Sequence, residues 1–273
     1  MDPRNFQILA LVSFLFLGVM FRDFSVSFAQ SLSAIGLSLL VQEVMERYFS
    51  RRFSGWKSAV ISGTSLALLL RSGSLSMYVA ATVLSVASKF LVRYQGKHIF
   101  NPSNFALAIL LLFGFPVWVS PGQWGNDFIL IAYVILIGLG VAFYAERLDV
   151  SLAFLLCFAL LLTLRVTYLG QNPKVILHTL SSGSLVLFTF FMISDPRTTP
   201  NHRAARILFG CLVAALFYIL RFRYYLPNAL FYSLFFLSPL VPVLDRLISA
   251  KAYSWFRGEE NACLDPSLVV PQP

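Results

Sequence analysis

Charge is scarce in this 273-residue chain: Asp, Glu, Lys and Arg together make up 12% of it, about half the roughly 25% of an ordinary soluble domain. A globule of this size cannot cover its surface with so few charges, which excludes a soluble enzyme and a disordered protein. Cysteine is scarce too. Cys157, Cys211 and Cys263 form no CxxC and no metal-ligand spacing, so neither a disulfide scaffold nor a zinc site is encoded. His98, His178 and His202 are too scattered for a metal centre. No GxGxxG, Walker loop, HExxH or nucleophile elbow occurs. What the chain has instead is 58% hydrophobic residues, 27 of its residues being Phe. Such side chains favour lipid, and the Phe-rich helix faces are expected to meet it.

A bilayer needs about 20 apolar residues per helix, and roughly 17 suffice when a helix is packed or tilted. Ten intervals qualify: 6–21, 27–45, 57–71, 74–92, 103–119, 127–145, 150–168, 175–193, 204–221 and 227–245. The third is interrupted by Ser62, Gly63, Thr64 and Ser65. The expected fold is all-α, a polytopic membrane protein of about ten transmembrane helices. Asp2 ahead of the first interval and the lack of a small-residue cleavage pattern before Arg22 argue against a cleaved signal. With ten spans both termini lie on one side. That side carries 15 Lys and Arg and the other 6, so both termini are expected in the cytoplasm. The net charge of +9 is then a topology signal, and no nucleic-acid partner is implied.

The two halves resemble each other. Ser62-Gly63-Thr64-Ser65 in the third span matches Ser182-Gly183-Ser184 in the eighth, and Asn104 in the fifth matches Asn228 in the tenth, at offsets of 120 and 124. This suggests a five-plus-five inverted repeat: residues 1–121 as the first half, 122–247 as the second, and 248–273 as a flexible cytoplasmic tail. Gly and Ser in the third and eighth spans allow close helix approach, and Pro102 and Pro227 are each expected to start a helix. Arg165, Lys57 and Lys89 lie toward helix ends and read as snorkelling. Glu43 sits four residues before Arg47 and pairs with it. His178 is the deepest titratable candidate.

Two polar stretches could carry chemistry. Gly96 to Asn104 offers a cation (Lys97), an imidazole (His98) and two carboxamides (Asn101, Asn104) at a helix start. Ser194 to Asn201 offers Asp195, Arg197, Thr198 and Thr199 between Pro196 and Pro200. Asp and Thr are helix-capping types, and a helix N-terminus beside an arginine suits a phosphate or an electron-rich ring oxygen. A capped turn between helices explains the same residues without a ligand.

Phe100-Asn101-Pro102, followed by an apolar stretch to Phe113-Gly114-Phe115-Pro116, resembles the FNPA…ISFP region of the RnfD/NqrB family of flavin-carrying membrane electron-transport subunits. Phe191-Met192-Ile193-Ser194-Asp195-Pro196-Arg197-Thr198-Thr199-Pro200 resembles the family's FMATDPVTSP. Arg206 to Gly210, Ala214 to Arg221 and Pro239 to Asp245 are similar to its later elements, so the resemblance covers about residues 90–247. The opening Asp2 to Ile8 is similar to the UnbU group, RnfD-like membrane proteins encoded with enediyne biosynthesis. The resemblance implies ten helices and electron transport through FMN and riboflavin, in a subunit of a membrane oxidoreductase whose partners are other membrane or redox subunits. On the redox-subunit reading, His98, Asn101, Asn104, Asp195, Thr198 and Thr199 are the expected flavin contacts, with Lys97 and Arg197 near its polar edge.

One departure matters. The family attaches FMN to the last Thr of a Ser/Thr-Gly-Ala-Thr motif, which this chain lacks, and Ser120 to Asn126 is too short for the loop that carries it. Covalent FMN is therefore not expected, whereas a non-covalent flavin, FMN or riboflavin, needs only a pocket and a few donors. A cofactor-free transporter or export component and a non-catalytic membrane scaffold stand beside the redox subunit as readings of the same residues.

Overall fold

The computed structural model describes residues 2–21, 27–49, 55–120, 128–251 and 253. The expected loop 121–126, nearly all of the expected tail, Cys263, Arg22, Arg51 and Arg52 lie outside the described residues. Each of the ten apolar intervals contains helix, although the fifth is helical only to Leu112 and does not extend to 119 as expected. In order they hold α1 (Pro3–Phe21), α2 (Phe28–Tyr48), α3 (Trp56–Leu69), α4 (Leu75–Leu91), α5 (Pro102–Leu112), α6 (Phe128–Tyr144) and α7 (Leu148–Tyr168). Then come α8 (Lys174–Leu180) and α9 (Gly183–Leu187), which runs into a π-helical turn Phe188–Met192, α10 (Arg203–Phe222), α11 (Ala229–Leu237) and α12 (Leu240–Leu247). The chain is an all-α, polytopic membrane protein.

The helices are unequal. Among the described residues α1, α2, α7 and α10 are long and apolar enough to cross a membrane singly. Two further spans arise if each bent pair counts as one: α8 with the stretch Gly183–Met192, bent by 53°, and α11 with α12, bent by 45°. Both bends have local causes. Ser181 and Ser182 precede Gly183 at the first, where hydroxyls compete for backbone groups. Pro239 stands at the second and supplies no N–H to the ladder. The third interval stays helical through Ser62 to Ser65 and stops instead at a two-residue strand β1 (Leu70–Arg71). This strand pairs antiparallel with β4 (Trp118–Val119). Arg71 is buried there and donates from Nη1 to the carbonyls of Ala67 (3.0 Å) and Leu70 (2.7 Å), occupying helix-end acceptors.

Helix starts follow sequence chemistry in part. Asn101 caps α5, accepting from the Asn104 N–H at 3.1 Å, and Pro102 takes the first helical position. Pro227 does not start a helix; it stands two residues before Ala229, where α11 begins. Ser27 and Gln30 form a reciprocal capping box at α2.

Small polar residues make the tightest seam. Ser31, Ala34, Ser38, Gln42 and Glu46 are the buried residues of α2, a stripe at helical spacing. A Cβ on Gly63 would lie 2.8 Å from the Ala34 carbonyl, Ile35 Cα and Ser38 Oγ, so α3 approaches α2 to backbone contact. Gly210 does the same for α10 on α7, its Cβ position lying 2.8 Å from the Val150 carbonyl. Within the first half α2 packs on α3 and α4, α4 on α5, and α1 on α3. In the second, α7 packs on α10, α10 on α11, and α6 on α9 and the π turn. Across the halves α1 meets α6 and α5 meets α11.

The expectation that phenylalanine serves the lipid face needs correction. Phe14, Phe154, Phe158, Phe188 and Phe209 are fully buried. Phe158 sits 4.6 Å from Phe217 between ring centroids, Phe154 5.2 Å from Phe188, and Phe14 meets Phe191 edge-on at 5.6 Å. Lipid is as apolar as these rings, so what holds them inside is close packing and ring geometry, not escape from water. Phe16, Phe28, Phe113 and Phe143 do face outward.

Candidate functional site

The two polar stretches meet. Between α4 and α5 the chain makes a small hairpin, β2 (Arg93–Tyr94) against β3 (Lys97–His98), pairing Arg93 with His98 and Tyr94 with Lys97. Gln95 and Gly96 both have positive φ, 47° and 76°, as a two-residue type I′ turn demands. Neighbours on a strand point to opposite faces, and this parts Lys97 from His98. His98 lines a cavity of about 230 Å³, together with Asn101, Asp195 and Arg197. Lys97 turns away, donating from Nζ to Asp245 Oδ2 (2.8 Å), Asn201 Oδ1 (3.2 Å) and the Thr199 carbonyl.

Asn101 links the stretches. Its Oδ1 caps α5, while Nδ2 donates to the Met192 carbonyl and to Asp195 Oδ2, each at 3.4 Å. Asp195 Oδ1 accepts from the Arg197 N–H at 3.0 Å, and its carbonyl accepts from the hydroxyls of Thr198 (3.4 Å) and Thr199 (3.0 Å). The expectation of a helix capped by these residues does not hold. Pro196 and Pro200 keep the segment in a turn, and α10 starts at Arg203 with His202 Nδ1 accepting from the Ala204 N–H. Thr198 and Thr199 spend their hydroxyls on the turn. Thr199 Oγ1 also accepts from buried Arg147 Nε at 3.0 Å. Asn104 is fully buried and donates to the Phe231 carbonyl at 3.2 Å, joining α5 to α11. Four of the eight expected contact residues thus line the cavity, while Lys97, Asn104, Thr198 and Thr199 brace the elements around it.

The other walls went unnoticed in the sequence. Gln42 and Glu46 of α2, Ser58 and Ser62 of α3, Lys89 of α4, Arg93 and Arg4 are among the further polar lining residues, with Phe90 and Phe191 as aromatic patches. Lys89 does not snorkel: it is 3% exposed, and Nζ donates to the carbonyl (3.0 Å) and hydroxyl (3.1 Å) of Ser58. Glu46 Oε1 accepts from Gln42 Nε2 (2.9 Å) and the Gly55 N–H (3.1 Å). The signal that could have found them is the polar stripe of α2, Ser31, Ser38, Gln42 and Glu46 at intervals of a helical turn. Glu43 and Arg47 do pair, outward, as expected. His178 is exposed on α8 and does not line the cavity. Arg165 lies over the Phe222 ring at 4.7 Å, and Lys57 bridges to Asp2 at 2.8 Å.

Electrostatics at the cavity follow from burial. Burial pushes His98 down to about 3, reinforced by the positive charges of Arg93, Lys89 and Arg197, so its imidazole is neutral at pH 7. Its Nδ1 is buried without a partner among the described residues. Burial drives the Asp195 carboxyl upward against the pull of the Arg197 N–H and charge. Buried Gln42 Oε1 also lacks a described partner. Unmatched acceptors at cavity-lining residues suit a ligand that brings its own donors. Among the described residues no group of three His, Cys, Asp or Glu could hold a metal ion.

Comparison with known proteins bears on the second half. Residues 120–254 match the model of the NQR2, RnfD, RnfE family. Over 140 residues the chain is 27% identical to the D component of the ion-translocating oxidoreductase complex of Buchnera aphidicola, covering 51% of this chain and 37% of that protein. It is 34% identical over 77 residues to the corresponding protein of Stutzerimonas stutzeri, covering 28% and 22%. With its counterpart in Escherichia coli it shares 26% over 114 residues, covering 42% and 32%. The chain thus spans well under half the length of these relatives. Asp195, Arg197, Thr198 and Thr199 fall within the matched region, whereas the Lys97 to Asn104 stretch precedes it. Over residues 120–254, just under half of its length, the chain is thus similar to the NQR2, RnfD, RnfE family.

Proposed function

We propose that this protein is a membrane electron-transport subunit of the RnfD kind that holds a non-covalent flavin, FMN or riboflavin, by its polar end in the cavity between the two halves. One observation carries the reading. The two stretches that resemble flavin-subunit motifs, 91 residues apart at Asn101 and Met192, are hydrogen-bonded to each other at the cavity wall. The volume of about 230 Å³ is below the roughly 300–1,000 Å³ of pockets that enclose a whole ligand, so it suits one end of a flavin rather than all of it. His98 Nδ1 and Gln42 Oε1 would accept and Arg197 would donate, while Asn101, its amide hydrogens taken by Met192 and Asp195, holds the two stretches in register. A bound flavin supplies electron transfer; the protein's part is to position it and exclude water. Coupling to ion movement, association with further membrane or redox subunits, a bacterial inner-membrane location and cytoplasmic termini belong to the same proposal.

The matching order of helix contacts in the two halves supports a five-plus-five inverted repeat within 1–121 and 122–247. A second reading, a cofactor-free transporter or export component of the UnbU type, draws support from the two bent helix pairs, since broken helices are what alternating access uses. Visible absorption of the full chain purified in detergent separates the two. Flavin bands that vanish in Asn101→Ala and Asp195→Ala support the first. A colourless, folded protein that also takes up no added FMN or riboflavin rules it out.

A further inference from the structure

Cys157 and Cys211, 54 positions apart in the chain, meet across the seam between α7 and α10. Cys157 Sγ donates to the Cys211 carbonyl at 3.8 Å, and Cys211 Sγ to the Ala153 carbonyl at 4.0 Å. The two thiols are also in hydrogen-bond reach of each other. Such S–H contacts are weak, so the helices impose the pairing rather than the reverse. Contacts run in register along the seam: Arg206 on Asp149 at 2.6 Å, Gly210 on Val150, Phe217 on Phe158, and Phe222 under Arg165. The two helices therefore run parallel. Beside Cys211 they touch through backbone, since a Cβ on Gly210 would lie 2.8 Å from the Val150 carbonyl and 3.1 Å from the Phe154 nitrogen. A disulfide needs Cα atoms roughly 4.4–6.8 Å apart, and tight packing of this kind is what brings two helices so near.

The pair sits at mid-span. Cys157 is the tenth of the 21 residues of α7 and Cys211 the ninth of the 20 of α10, about 12–14 Å from the nearer helix end at 1.5 Å per residue. Both are half-buried, and Leu156, Leu160, Ile207 and Leu208 beside them face outward. An apolar reagent dissolved in the bilayer reaches them and a charged aqueous one does not. A thiolate in hydrocarbon is costly, which closes the ionic route of thiol exchange. Hydrogen-atom transfer creates no charge and stays open. We infer that Cys157 and Cys211 form a redox modification site inside the bilayer, converted to an interhelix disulfide by an apolar peroxyl radical. Each thiol gives its hydrogen atom to one radical, breaking S–H and making the O–H of a hydroperoxide. The two sulfur radicals then pair their odd electrons in one S–S bond. Two radicals are reduced to two hydroperoxides as two thiols become one disulfide. The bond locks α7 to α10, the helix that opens directly after the cavity turn, and it does so whether or not a flavin is bound.

The test uses the full chain carrying Cys263→Ser, in nanodiscs, exposed in air to a lipid-soluble or a water-soluble generator of peroxyl radicals. Free thiols are counted with a membrane-permeant maleimide, and linked peptides are identified by mass spectrometry after digestion. The lipid-soluble generator is expected to remove both thiols together, with the mass falling by two hydrogens and the Cys157 and Cys211 peptides joined. The water-soluble generator should be slower by about tenfold or more. The oxidised protein should melt at a higher temperature than the reduced one, because a cross-link restricts the unfolded chain. Cys157→Ser and Cys211→Ser should each abolish both the linked peptide and the rise in melting temperature. Should either variant fail to fold, peptide mapping of the two-thiol protein decides. Thiols lost one at a time, with oxygen gained and no linked peptide, overturn the site, as does survival of both thiols. Equal rates from the two generators overturn its assignment to an oxidant of the bilayer.

Discussion

Lys97 and Asp245, 148 positions apart, meet at 2.8 Å. The second oxygen of Asp245 accepts from the Asn201 N–H at 2.7 Å, so one carboxylate ties the hairpin, the turn after the π helix and α12. Both side chains are largely shielded. Burial pushes the Lys97 ammonium below its ordinary value, and Asp245 pulls it back up.

Removing either partner strands the other. Lys97→Met and Asp245→Asn should each lower stability by about 1–3 kcal/mol, the scale of a charged hydrogen bond. The double variant should lose less than the sum, because both changes report on one contact. Thermal melts in detergent across the four-member cycle check this; strict additivity would refute the tie.

His98 sets an acid limit. Its pKa falls from 6.5 unfolded to about 3 folded, so between those values the unfolded state binds more protons and stability drops as pH falls. The slope approaches ~1.4 kcal/mol per pH unit. Asp195, shifted upward, acts in the opposite sense: between its ordinary and raised values the folded state holds the extra proton. A His98→Gln variant should flatten the loss of stability below pH 6.5 in melts followed by circular dichroism. An unchanged pH profile would contradict the assignment.

Gly63 and Gly36 make a matched pair. A methyl on Gly63 meets backbone of α2 at 2.8 Å, whereas one on Gly36 meets nothing within 4 Å. Gly63→Ala should cost about 1–3 kcal/mol through forced separation of the helices. Gly36→Ala should be neutral or stabilise by up to ~1 kcal/mol through helix propensity. Comparing unfolding midpoints of the two variants tests the seam.

Phe158 is fully buried against Phe217. Truncation to Ala should cost about 3–5 kcal/mol, and Phe158→Leu clearly less. If both variants melt like the parent, the ring cluster between α7 and α10 is not structural.

The helical intervals are legible because an apolar run of this length has few alternatives, and Asn101-Pro102 announces a helix start by its own chemistry. Helix breaks are harder: Ser181 to Gly183 and Ser62 to Ser65 read alike, yet only the first breaks. The difference is tertiary, since Gly63 lets α3 run straight along α2. Half of the site was readable from its motifs. The rest was hidden by a habit of reading membrane charges as reaching for water. Lys89 near a helix end reads as snorkelling until Ser58 is seen beside it. Lys97 and His98 read as one unit until the hairpin sends them to opposite faces, and no sequence spacing reveals that a two-residue turn sits between Tyr94 and Lys97.

The cavity draws on two unlike parts of the chain. Its turn, with Asp195 and Arg197, comes from the region shared with the NQR2, RnfD, RnfE family, while most of its wall is drawn from α2, α3, α4 and the hairpin. Substitutions in the first five helices would therefore reshape most of the wall and leave the family-like turn untouched, and substitutions in the turn would do the reverse.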